Sequence, residues 1–346
     1  MLGRTSLLSI SKYDWGISIP VVRYVLGISF VLLVSTLLNY PIAYLTTVLA
    51  LGYIAPGAKP LTFKQAASFI LILIVINLIT FIFSSYLNDY PLVFMPLLCL
   101  GILWIYYTDS LPLMVKLFSI ISIFVIPLMS LEPTGVSAFV AISLIINAFM
   151  AIALTQLVFK VFPWSKADEE FVKEKKQAAK LSEINRFNYA AKIFLILLPV
   201  LLLFFIFKLS GGLLILIFIG ILSMSPALAN AKVGKFMVAA NILGGLFAIV
   251  AYKFLVMVPL LPFMILLTLL VGFLFGSKLF SKAKLAPVFG TGFSTFLLIL
   301  GSVTSSTDDA GSAVWSRLVQ ISIAVIYVVI AFRILNYFEQ KKSKAE

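Results

Sequence analysis

Apolar runs close to twenty residues long follow one another along this chain, separated by short polar or proline-containing breaks. A helix that crosses a bilayer needs about 20 residues. The runs therefore predict twelve spans, at 17–38, 41–58, 66–87, 91–107, 112–130, 134–161, 189–208, 212–229, 235–256, 259–276, 286–304 and 311–337. The expected fold class is an all-α polytopic membrane protein. The first run is too long for a signal-peptide core and lacks a small-residue cleavage site, so it is expected to be retained as a span. The breaks at Asn39-Tyr40-Pro41 and Ser210-Gly211-Gly212 are tight enough to press neighbouring spans together.

Twelve spans with the N-terminus in the cytoplasm put all but three of the 26 basic residues at cytoplasmic ends. This is the bias of the positive-inside rule. The exceptions are Lys208, Lys253 and Arg317. Composition supports the reading: 62% of residues are hydrophobic and 11% charged, against near half and a quarter in soluble domains. The net charge of +13 lies beside membrane spans, where anionic lipid attracts it, so nucleic acid is not an expected partner and membrane lipid is.

The order of breaks suggests an internal repeat. Pro56 follows the second span and Pro226 the eighth, each followed by two lysines (Lys59 and Lys64; Lys232 and Lys235). Pro91 and Pro96 match Pro259 and Pro262, and Pro112 matches Pro287. Glu132-Pro133-Thr134-Gly135 precedes the sixth span as Asp308-Asp309-Ala310-Gly311 precedes the twelfth. Six spans per half is even, so both halves insert the same way round. They would be two parallel six-helix repeats related by a pseudo-two-fold along the membrane normal, as in one class of transporter. The expected organisation is residues 1–162 as the first repeat, 163–188 as a charged cytoplasmic linker, 189–338 as the second repeat and 339–346 as a charged cytoplasmic tail. In the linker, Ser165-x-x-Asp168 resembles a capping box. A helix continuing from the sixth span, or lying on the membrane surface, is expected there.

Candidate chemistry is sparse. Arg317, about two turns into the twelfth span, follows Asp308 and Asp309 in the most polar stretch at any external end. A charge within the bilayer must be paired or wetted, so Arg317 is expected to face these carboxylates or a water-filled cavity. That makes an anion-attracting site with titratable acids, or an interfacial clamp that snorkels. Lys208 and Lys253 would make the outer mouth of the second half basic, or serve as anchors. Arg23 in the first span and Lys192 in the seventh occupy similar places near the cytoplasmic face. They read as a vestibule that gathers organic anions, or as ordinary anchors. Pro56 and Pro226 are candidate helix breaks that would expose backbone groups to bind ions. Asn77, Asn147, Asn241 and Gln156 read as interhelical hydrogen-bonding amides, and Gly272-x-x-x-Gly276 as a close-packing site.

The chain has no His and one Cys, Cys99. Intrachain disulfides, Cys/His metal clusters and His-based catalysis are excluded. Nucleotide-binding and zinc-protease motifs are missing, so an enzyme or single-chain ATP-driven pump is not expected, and no cofactor is implied.

The layout resembles the fusaric-acid-resistance / aromatic-acid-exporter family of bacterial inner-membrane proteins. The resemblance rests on the six-plus-six layout, on Ala55-Pro56-Gly57-Ala58-Lys59-Pro60-Leu61-Thr62-Phe63-Lys64-Gln65-Ala66, and on the small and polar stretch from Thr295 leading into an Arg-bearing last span. Larger members carry cytoplasmic domains that this chain lacks. The resemblance implies an inner-membrane location and secondary export of organic or aromatic acids, with a small organic anion as substrate. It also implies a periplasmic membrane-fusion adaptor as a partner. A homo-oligomer is compatible with it. The alternatives are an organic-anion channel and a non-transporting membrane scaffold subunit.

Overall fold

The structure, a computed structural model, describes residues 18–108, 111–132, 135–165, 168–169, 186–207, 209, 215–216, 219–220, 231–281, 283, 285–304 and 310–342. Among the described residues the chain is helical, without strands. The helices are α1 Ile19–Leu38, α2 Tyr44–Ile54, α3 Phe63–Leu87, α4 Pro91–Tyr107, α5 Leu113–Met129, α6 Val136–Val161, α7 Arg186–Ile206, α8 Ala231–Met257, α9 Leu261–Leu279, α10 Ala286–Thr304 and α11 Ala310–Lys342. The eighth expected span falls mostly outside the described residues.

Five of these helices (α1, α3, α6, α8 over its Ala239–Met257 part, and α9) are long and apolar enough to cross a membrane. Their outer faces support the same reading. α3 exposes Leu71, Ile74, Val75, Leu78, Ile79, Ile82 and Phe83, and α9 exposes Leu266, Leu270 and Leu274. Apolar faces of this extent are stable against lipid and not against water. The chain is an all-helical protein of membrane type.

Lipid is as apolar as leucine, so helices in it associate by close packing and hydrogen bonds. Here the close packing runs through glycines. Gly272 and Gly276 of α9 bring that helix onto α1: a Cβ on Gly272 would lie 2.9 Å from Val25, and one on Gly276 3.1 Å from the same side chain. The tightest crossing joins α8 to α10, where a Cβ on Gly244 would overlap the carbonyl oxygen of Gly292 and one on Gly292 would lie 2.6 Å from that of Ala240. Asn241 and Thr295 are hydrogen-bonded across the same crossing.

Helix neighbours follow a pattern. α3 packs mainly on α5, and α8 on α10. α1 packs on α9, and α7 on α4. α2 lies against α10, where Gly301 meets Tyr44, while Gly220 meets Ile120 and Phe124 of α5. The core that the described residues form between them is apolar, with Phe124, Phe293 and Phe296 at 1% exposure or less.

One expected span is much shorter than its hydropathy suggested. The apolar run 41–58 contains only the eleven-residue helix α2, about 16 Å long at 1.5 Å per residue. Backbone breaks bound it on both sides. Before it, Asn39 and Ile42 take positive φ (44° and 57°). After it, the chain turns at Ala55-Pro56-Gly57, with Gly57 at φ 76°, where a Cβ would be strained. The chain then enters α3, whose start carries a full capping box: Gln65 N–H donates to Thr62 Oγ1, and Thr62 N–H donates to Gln65 Oε1.

Candidate functional site

Among the described residues, two polar assemblies gather around α1, α2 and α6. The first lies where α6 ends. α6 stops at Val161 and the chain turns through Phe162–Ser165, so the linker does not run straight on from α6 as one helix. At the turn, Ser165 donates its backbone N–H (2.9 Å) and its hydroxyl (2.8 Å) to Asp168 Oδ2. These bonds aim the Asp168 carboxylate back at α1. Arg23 meets it with both terminal nitrogens: Nη1 donates to Oδ2 at 3.1 Å, and Nη2 pairs with Oδ1. Nη1 also donates to the carbonyl of Pro163 at 3.3 Å. The guanidinium carbon lies 4.9 Å from the centre of the Phe159 ring. Arg23 and Asp168 are both fully enclosed. Arg23 Nε is buried without a partner. Beside this assembly the Lys59 ammonium lies over the Trp164 ring at 5.6 Å, tying the turn after α2 to the turn after α6.

The electrostatics follow from this geometry. Burial pulls the Asp168 carboxyl upward, but hydrogen bonds from Arg23 and from Ser165 outweigh it and hold the group below the usual carboxylate range. The pair is therefore charged at neutral pH. Fork-on-carboxylate geometry is the strong form of such a bond.

The second assembly stands midway along α6. Asn147 Oδ1 accepts from the Thr46 N–H (3.2 Å) and the Thr46 hydroxyl (2.7 Å) in the first turn of α2. Asn147 Nδ2 donates to the carbonyls of Pro41 (2.9 Å) and Ser143 (2.7 Å). Tyr40 donates to Thr46 Oγ1 at 2.7 Å and lies 2.9 Å from Ser35 Oγ. Ala43, at the N-cap of α2, supplies no side-chain cap, and an amide from another helix takes one of the N–H donors that every helix start leaves, that of Thr46. Asn77 donates to the carbonyl of Ala141 at 2.9 Å. The intramembrane amides Asn77, Asn147 and Asn241 thus hydrogen-bond between helices, as their positions suggested.

An apolar groove of about 220 Å³ opens between α3, α4 and α5, lined by Ile79, Phe83, Leu97, Gly101, Ile123 and Pro127 among others. Thr80 is its polar member.

Of the expected site residues, Arg23, Pro56 and Lys253 lie among the described residues, each in a different element. Arg23 is sealed against Asp168, so its charge is already matched. Lys253 stands exposed on α8, near the end of that helix. Pro56 forms the half-buried turn after α2. Arg317 lies in α11, but its side chain is outside the described residues. So are Asp308, Asp309, Lys208 and Pro226. Sequence reasoning missed the Arg23–Asp168 pair. The available signal was a single arginine within an apolar span, which needs an acid, and the acids nearest in topology are those of the linker. Searches for a matching family model, a matching curated protein and a matching solved structure found none.

Proposed function

We propose that this chain is a secondary exporter of small organic acids, aromatic acids above all, in a bacterial inner membrane. It would cross the bilayer twelve times, with both termini and the basic helix ends in the cytoplasm. The observation that carries the reading is the paired packing scheme. α3 on α5 corresponds to α8 on α10, α1 on α9 corresponds to α7 on α4, and Tyr44 on Gly301 corresponds to Gly220 against Ile120 and Phe124. That is the pairing expected of two like-oriented six-helix units exchanging partners across a two-fold axis along the membrane normal. Carriers use such repeats to rock around a central site.

In this reading Arg317 attracts the substrate carboxylate, with Asp308 and Asp309 holding Arg317 or taking protons, and Lys208 and Lys253 biasing the outer mouth. The resemblance to aromatic-acid exporters supplies the substrate class and a periplasmic adaptor as a partner. The test is survival of cells challenged with a toxic aromatic acid. Arg317→Ala and Asp309→Asn should each abolish resistance conferred by the wild-type chain. Undiminished resistance in both, at equal expression, would remove the site. Large unitary currents in planar bilayers would replace the carrier with a channel.

A further inference from the structure

The Arg23 pocket is a finished anion site, and the anion in it belongs to the chain itself. Three features separate it from an ordinary structural ion pair. First, the acid is not on a neighbouring membrane helix. It sits on the linker, where, among the described residues, Ser165 takes its N–H and donates twice to its carboxylate, and the Arg23 fork closes on it. Second, the guanidinium is not fully used. It offers five N–H donors; Nη1 serves Asp168 and Pro163, Nη2 serves Asp168, and Nε is buried with nothing to donate to. A carboxylate approaching the Nε–Nη2 edge would engage a donor that Asp168 leaves idle. Third, an aromatic face, Phe159, already stands against the guanidinium.

We propose that Arg23 is the base of a carboxylate-binding site, occupied in this conformation by Asp168, and that a small organic carboxylate competes with Asp168 for it. The physical constraint is that an enclosed guanidinium cannot stand unpaired. If Asp168 leaves, another anion must enter, so the site exchanges ligands and is never vacant. Asp168 is then an internal competitor that sets the affinity for the external one. A planar carboxylate on a ring suits the fork and the Phe159 face together. The proposal rests on the export reading for its ligand class and deepens it by naming where the acid first binds.

The test is binding of benzoate to the purified full-length chain in lipid nanodiscs, read by equilibrium dialysis and by thermal unfolding. Asp168→Asn removes the competing charge and keeps the shape. It should bind benzoate at least ten-fold more tightly than wild type. The double variant Arg23→Met/Asp168→Asn removes the whole pair and should bind no benzoate. If Asp168→Asn accumulates poorly, benzoate present during extraction should restore its yield and raise its melting temperature well beyond any effect on wild type. Asp168→Asn that neither binds benzoate more tightly nor is stabilised by it overturns the proposal. Equal benzoate binding by the double variant overturns it as well. The readout is binding alone. A chain that binds benzoate through Arg23 yet confers no acid resistance would defeat export and leave this site standing.

Discussion

Arg23 and Asp168 stand 145 positions apart in sequence and close on each other with no solvent between them. Removing one partner strands a buried charge, at a cost of about 3–5 kcal/mol, whereas removing both with neutral side chains of similar size is often nearly neutral. Arg23→Met and Asp168→Asn should each lower stability by about that amount, and the double variant should recover most of it. Unfolding followed in all four members of the cycle checks this. Additive losses would mean that the two side chains are not coupled.

The same pair predicts a pH dependence. Asp168 titrates below its unfolded value of about 3.9. A depressed carboxyl contributes stability that is fully present above the unfolded value and is lost as pH falls through the folded one. The stability difference between wild type and the double variant should therefore be flat from pH 8 to about pH 5. Below about pH 4 wild type should then lose stability steadily relative to the double variant. Subtracting the double variant cancels the other carboxylates. A difference that already changes near neutral pH would contradict the assignment.

Two glycines should respond oppositely to alanine. At Gly244 the new methyl would overlap a backbone carbonyl oxygen, which cannot rotate away. Overpacking of this kind costs about 1–3 kcal/mol or more, and Gly244→Ala should separate α8 from α10 and reduce the folded yield. At Gly101 the nearest atom is a methyl of Ile123 at 3.9 Å. Gly101→Ala should be neutral or stabilising by up to about 1 kcal/mol, from helix propensity alone. Thermal unfolding of both variants decides the matter.

The two interhelical amides should also differ. Asn147→Leu would deprive the first turn of α2 and the carbonyl of Pro41 of their partner. Each buried polar group left unsatisfied costs about 1–3 kcal/mol. Asn77 makes one hydrogen bond and leaves its own Oδ1 buried and unfilled. Asn77→Leu should therefore be clearly the milder change, measured by thermal unfolding at equal expression.

Long, uniformly apolar helices were legible from hydropathy because lipid solvation imposes length and composition on them. α4 (91–107) and α10 (286–304) coincide with the expected spans, and α1, α5 and α6 differ from theirs by one or two residues at an end. α2 was misjudged because hydropathy measures the apolar run and not the backbone within it. Asn39, Ile42 and Gly57 bend that run without making it polar. Ser165 and Asp168 were readable as a local cap, since capping is a short-range pattern. Their meeting with Arg23 was not, because it depends on how α1 and α6 pack. The outer-mouth residues Asp308 and Asp309 lie outside the described residues.

The overlap of Gly244 and Gly292 limits how this molecule can move. Two backbones in direct contact have no side chains between them to swivel or slide, so α8 and α10 should move as one unit. α3, α4 and α5 instead leave a groove between them, where side chains have room to move. A spin-label pair across α8 and α10 should show one narrow distance distribution, and a pair across α3 and α4 a broader one.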